Sequence, residues 1–233
     1  MNLETALNAF RAEFLEKVPA EAKGIMDDAA EVLAKDFENR QVLQVGDIAP
    51  DFTLPNAIGN NISLKERLTK GPVVLTFYRG GWCPYCNLEL RAYQQVLPEI
   101  RELGASLIAI SPQTPDASLS TAEKNDLEFD VLSDVSLNIA KDYGIVFELT
   151  EELKALYQKW NLNLPQANGT DDWMLPIPAT FVIDQNGRIA LAYINVDYTK
   201  RLEPETAIAC LEKLTGTHKN FFRRKKILMG ALD

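Results

Sequence analysis

Two cysteines stand two residues apart in "FYRGGWCPYCNLEL", the stretch from Phe77 to Leu90. A strand-like run precedes them and a helix-like run follows. A strand that turns sharply into a helix puts the turn at the helix N-terminus, where unpaired backbone N–H groups and the positive end of the macrodipole gather. A cysteine in that field favours its thiolate, which is the reactive form. Arg79 is the nearest strong cation in sequence and can assist either thiol if its side chain turns inward. Pro84 suits an early helical position, where no N–H partner is needed. Trp82 can shield the first thiol from bulk water. Two sulfurs at this spacing can close a disulfide, giving a two-electron couple in which one thiol attacks and the other resolves. The residues alone leave both orders open: Cys83 attacking and Cys86 resolving, or the reverse.

Competing chemistries are poorly supplied. A zinc half-site would need two more ligands, and only Cys210 and His218 are on offer, both near the far end of the chain. Nothing therefore calls for a metal or an organic cofactor. Cys210 shares an apolar helix face with Ile208, Leu211 and Leu214 and reads as core. His218 is the single histidine, so catalysis through a histidine base has little support.

Composition narrows the setting. The chain has 233 residues, 46% hydrophobic and 24% charged, which suits a soluble globular protein with one sizeable core. A net charge of -9 gives no general attraction to nucleic acid or to anionic lipid. Three cysteines are too few for a disulfide scaffold, and a Cys-x-x-Cys in a reducing compartment points to redox or metal chemistry rather than to a structural staple. The start, "MNLETALNAFRAEF", is acidic and helical, without the basic and apolar regions of a secretory signal. No apolar run approaches the roughly 18 residues of a membrane span. The expected location is the cytoplasm.

The elements that must hold the dithiol follow from periodicity. Residues 1–40 read as a helical extension, with Leu3, Leu7, Phe10, Phe14 and Leu15, then Ile25, Met26, Ala29, Val32 and Leu33, at helical spacing. It is expected to pack on the main domain, with a dimer contact as the alternative. Extended segments at Phe52–Leu54 and Asn61–Leu64 suggest a small hairpin. Val73 to Tyr78 form an unbroken apolar run, as in a strand buried on both faces. A helix through Leu88, Tyr93, Val96, Leu97 and Ile100 comes next and stops near Gly104. "ASLIAIS" is a second buried strand. Helix Ser118–Asp126, strand Phe129–Leu132 and helix Leu137–Tyr143 continue the alternation. In residues 147–175 a helix, "ELTEELKALYQKW", leads into a predicted loop. That segment, with Trp160, Trp173 and Met174, is read as core, as a wall of the site or as an interface. "IPATFVIDQNGRIALAYI" gives two strands around the tight turn Asp184–Gly187, and a last helix starts near Pro204. This predicts an α/β domain over 41–215 with a mixed central sheet flanked by helices. A basic tail, 216–233, carries Arg223 to Lys226 and reads as a solvated face or a packed tail, with anionic-surface binding as the sharper alternative.

Four blocks, "VGDIAPDFTLPNAIG", "VVLTFYRGGWCPYCNLEL", "IAISPQ" and "PATFVIDQNGRIALAYI", resemble the peroxiredoxin (alkyl hydroperoxide reductase/thiol-specific antioxidant) branch of the thioredoxin superfamily, over about residues 42–215. The resemblance implies a thioredoxin-like fold with an N-terminal extension. The family pattern Pro-x-x-x-Thr-x-x-Cys puts Arg79 at the proline, Cys83 at the threonine and Cys86 at the peroxidatic cysteine. The family's arginine, three residues before the phenylalanine of "TFVID", falls on Pro178. Only the peroxidatic cysteine of these four is kept. Pro178 instead matches the cis-proline of thioredoxins, whose attacking thiol corresponds to Cys83.

The resemblance thus implies an antioxidant thiol peroxidase. Cys86 attacks hydrogen peroxide or an organic hydroperoxide, its sulfenic acid condenses with Cys83, and thioredoxin or a similar dithiol reduces the disulfide. Arg79 stands in for the missing arginine, and Trp82, Pro84 and Pro178 shape the site. A homodimer is expected from the same resemblance. The alternatives are a thioredoxin-like disulfide reductase with Cys83 as nucleophile and a redox-sensing interaction protein.

Overall fold

A computed structural model describes residues 2–217. His218 and the basic block Arg223–Lys226 lie outside the described residues. Helices α1 (Leu3–Lys17) and α2 (Ala20–Phe37) precede a hairpin of β1 (Thr53–Pro55) and β2 (Asn61–Ser63) and the short α3 (Leu64–Leu68). Then come β3 (Val73–Phe77), α4 (Pro84–Glu102), β4 (Ser106–Ser111), α5 (Pro115–Lys124), β5 (Asp130–Ser133) and α6 (Asn138–Asp142). The remainder is β6 (Val146–Glu148), α7 (Glu151–Lys159), α8 (Leu164–Asn168), β7 (Met174–Pro176), β8 (Ala179–Ile183), β9 (Ile189–Ile194) and α9 (Pro204–Thr215).

The central sheet runs β5-β4-β3-β8-β9. β3 pairs in parallel with β4 and antiparallel with β8, so the sheet is mixed, as expected. Its strands are apolar without alternation because both faces are covered. Val73, Leu75 and Phe77 point into one core with Ile108, Ile110 and Phe181. Val74 points the other way, among Tyr93, Leu97 and Ile100 of α4 and Ile208 and Leu211 of α9. Cys210 is half-buried beside this second core.

The two N-terminal helices pack on different elements. Leu3 and Leu7 of α1 join Tyr85 and Leu90 of α4, while Ala22 of α2 joins Leu153, Leu156 and Tyr157 of α7. The Glu203 carboxylate, at the N-cap of α9, accepts the Leu3 and Glu4 amides and ties down the start of α1.

Three local expectations change. Helix α5 starts at Pro115 rather than Ser118, since Thr114 caps it by accepting the Ala117 amide. The loop expected after Trp160 contains α8 and β7, and β7 pairs with β6 across the intervening helices. Strand β5 begins one residue later than Phe129, which packs beside the cores instead.

Candidate active site

The dithiol sits where β3 hands over to α4, and the loop between them is braced from below. Gln113 Oε1 accepts the Gly81 amide at 2.7 Å, Asn87 Nδ2 donates to the Gly81 carbonyl at 2.8 Å, and Asn125 Nδ2 donates to Asn87 Oδ1 at 3.0 Å. Gly80 has φ +149, and a Cβ there would lie 2.4 Å from Trp82 Nε1. A Cβ on Gly81 would lie 2.2 Å from Thr121 Oγ1, so side chain and loop could not both fit. Cys83 is the N-cap of α4, Pro84 opens the helix as expected, and Cys86 follows in the first turn.

Both sulfurs are buried, yet their charges differ. Burial alone would raise the Cys83 pKa. Hydrogen bonding from Cys86 and the nearby Arg79 and Arg201 guanidiniums outweigh it and bring Cys83 down to about 6. Cys86 moves up, driven by burial and by the anionic neighbour it hydrogen-bonds. The pair is thus polarised, with Cys83 the more acidic thiol and Cys86 the less acidic one.

Arg79 turns inward, as its assumed role requires. It lies 4.4 Å over the Tyr198 ring and 4.9 Å from that of Trp82, and it donates to the Tyr157 hydroxyl. Burial works against its charge. Its electrostatic partners Tyr157, Cys83, Tyr198 and Cys86 outweigh that and hold it above its ordinary range. No carboxylate is among them, so the Cys83 thiolate is its natural counterion. Trp82 walls the approach to Cys83. Pro178 lines an adjoining apolar cavity with Arg79 and Tyr198. No cis peptide bond occurs among the described residues, so the match of Pro178 to a cis-proline does not hold.

Sequence reasoning missed a second buried cation. Arg201 Nε donates to Glu89 at 2.7 Å, and its Nη2 lies 3.5 Å from Cys86 Sγ. Both charged side chains are buried. Burial lifts Glu89 to about 7, with Arg201 opposing the rise. A signal was available: Glu89 lies on the apolar face of α4, one turn beyond Cys86, among Tyr85, Leu90 and Tyr93. A carboxylate there demands a partner. Its partner lies 112 positions away, after β9, where no periodicity points to it.

Among the described residues, no group of three or more His, Cys, Asp or Glu side chains is arranged to hold a metal ion. A family model described as "AhpC/TSA family" matches residues 45–192. The chain belongs to the AhpC/TSA family. A Mycobacterium tuberculosis protein provisionally named a peroxiredoxin is 31% identical over 157 residues, covering 67% of this chain and 88% of its own length. The thiol-disulfide oxidoreductase ResA of Bacillus cereus is 27% identical over 154 residues, covering 66% of this chain and 71% of its own. The crystal structure of the peroxidoxin BcpB from Mycobacterium tuberculosis shares the fold. It has a TM-score of 0.58 at 24% identity, over 74% of this chain and 98% of that one.

Proposed function

We propose that this AhpC/TSA protein is a thiol-dependent peroxidase whose redox couple is Cys83–Cys86. The observation that carries the reading is a dithiol at the start of α4 with Cys83 lining an aromatic pocket that buried Arg79 also lines. A thiolate attacks one oxygen of the hydroperoxide. An S–O bond forms, the O–O bond breaks, sulfur gives up two electrons, and the departing alkoxide or hydroxide takes a proton. The product is a sulfenic acid. The second thiol then attacks that sulfur, the S–S bond forms, and the hydroxyl leaves as water. Arg79, able to donate toward the peroxide, polarises the O–O bond.

The order of attack follows access and charge. The family pattern assigns it to Cys86, and the Arg201 contact on that sulfur favours the same choice. Cys86, however, is fully buried and does not line the pocket, whereas Cys83 lines it and is the more acidic thiol. Cys83 is therefore taken as the attacking thiol and Cys86 as the resolving one, which reverses the order expected from the sequence. Thioredoxin or a similar dithiol as electron donor, a cytoplasmic location and a homodimer complete the reading.

Each single Cys→Ser variant, exposed briefly to hydroperoxide with dimedone present, tests it by mass spectrometry. Cys86→Ser is expected to trap the adduct on Cys83. An adduct only on Cys86, in Cys83→Ser, reverses the order. No adduct in either variant, with insulin disulfide reduction by the wild type, replaces the peroxidase by a disulfide reductase.

A further inference from the structure

The electron donor in this reading is a folded dithiol protein, yet Cys83 is only 2% exposed. Thiol–disulfide exchange needs direct access to the sulfur under attack. The apolar cluster around Cys83 contains side chains that can leave and side chains that cannot. Tyr85 and Leu90 belong to α4, which is fixed to the sheet through Tyr93, Leu97 and Ile100. Leu3, Leu7 and Phe10 belong to α1, which lies outside the family-matched span of 45–192. Phe10 meets Tyr85, two residues after Cys83, edge to face at 5.0 Å.

Helix α1 is built to separate. Only Leu3 and Leu7 of its 15 residues are buried, and both lie in its first two turns, far from the junction with α2. That junction is Val18, the C-cap of α1 in extended conformation, and Pro19, the N-cap of α2. Val18 packs into the cluster of Ala22, Leu153 and Leu156, so the junction stays on the domain when α1 swings. The polar ties are few. Glu203 accepts the Leu3 and Glu4 amides, and Arg11 Nη1 reaches Asp197 Oδ2 and Thr199 Oγ1, each at 3.4 Å. The Arg11–Asp197 pair is half-exposed, where an ion pair contributes little. A helix held by two buried leucines, a few rings and such ties opens more readily than the sheet beneath it.

We propose that α1 is a hinged cover on the docking face for the dithiol reductant: it swings out at Val18–Pro19, and the protein donor takes its place against Tyr85, Tyr198 and exposed Pro84 beside Cys83. The inference rests on the donor named in the peroxidase reading and supplies its binding surface. The face that α1 leaves is apolar and aromatic around one sulfur, with Tyr85 edge-on to Tyr198 at 5.6 Å. It fits a partner whose own reactive thiol is ringed by apolar surface. With α1 away, the donor's thiolate attacks Cys83, and the Cys83–Cys86 bond breaks. A mixed disulfide then joins the donor to Cys83. The donor's second thiol closes the donor's own disulfide and frees Cys83. Two electrons pass to the protein, and the donor's two hydrogens end on Cys83 and Cys86.

The test takes the full chain, oxidised to the Cys83–Cys86 disulfide with diamide, and measures its rates of reduction by thioredoxin and by dithiothreitol. Leu7→Ala and Arg11→Ala loosen α1 without touching the thiols. Leu7→Ala is expected to raise the ratio of the thioredoxin rate to the dithiothreitol rate by at least about tenfold, since deleting a buried leucine leaves α1 open more of the time. Arg11→Ala is expected to raise it about twofold, and it serves if Leu7→Ala fails to fold. In a second arm, thioredoxin with its second cysteine changed to serine is trapped on the wild type as the mixed disulfide. Hydrogen exchange is expected to rise in the amides of residues 3–17 and to hold steady in those of 20–37. A ratio unchanged in the folded variants overturns the inference, and so does a trapped complex in which α1 keeps its protection. Reduction by dithiothreitol, but by thioredoxin in neither wild type nor variants, overturns it too. Because diamide rather than a hydroperoxide closes the disulfide, the peroxidase reading stands or falls on its own test.

Discussion

Arg79 is the most direct handle on the charge of the dithiol. Cys83 falls from an ordinary thiol value of 9.0 to about 6 despite burial, and Arg79 is the leading charge behind that fall. Three pKa units correspond to about 4 kcal/mol in favour of the thiolate. Replacing Arg79 by Gln keeps much of the side-chain volume and removes the charge. If Arg79 supplies about a third of the lowering, the inflection moves up by about one unit, to roughly 7. The thiolate fraction at neutral pH then drops from about nine-tenths to about one-half. The assay is the pH dependence of iodoacetamide alkylation of the reduced protein, with Cys83 followed by peptide mass spectrometry. An Arg79→Gln profile that superimposes on the wild type would refute the argument that Arg79 is the counterion. Peroxide turnover should fall more than the twofold loss of thiolate, because polarisation of the O–O bond is lost too. Turnover unchanged in both Arg79→Lys and Arg79→Ala would remove that second role. The same shift is a stability statement. The folded pKa is depressed, so the contribution is fully present above about 9 and is lost as pH falls through about 6. Urea midpoints of the reduced protein should decline over that window, and less steeply in Arg79→Gln.

The remaining predictions concern what surrounds the thiols. Arg201→Met strands the Glu89 carboxylate in the core and should cost about 3–5 kcal/mol in urea unfolding near pH 8, whereas Arg201→Met with Glu89→Gln should recover most of it. Recovery absent from the double variant would mean that Arg201 acts mainly through the backbone carbonyls of Tyr198 and Lys200, which it also contacts. Gly81→Ala should push the loop off Thr121, lowering Tm by several degrees and speeding alkylation of both cysteines, as read by differential scanning calorimetry and mass spectrometry.

Local pattern made much of the fold legible. The unbroken apolar runs at Val73–Phe77 and Ser106–Ser111 are central strands, because a strand buried on both faces shows no alternation. The turn at Asp184–Gly187 joins β8 to β9, since a tight turn between two apolar runs specifies a hairpin. The β6–β7 pair was not legible. Each strand has three residues, and they meet only after two helices have folded between them. So short a segment carries no period of its own.

The candidate site divides in the same way. Spacing alone sets two thiols at the start of a helix, with Arg79 close by in the chain and Pro84 at the first helical position, because all of these lie within one strand–turn–helix unit. Which thiol is the more acidic depends on burial and on the Arg201 guanidinium as well as on Arg79, and only tertiary structure sets the burial and brings Arg201. Arg201 reaches Cys86 from beyond β9, and Phe10 and Phe14 reach the pocket from α1. Local spacing alone sets two thiols side by side at the start of α4. Packing of distant segments around them sets which sulfur lines the pocket.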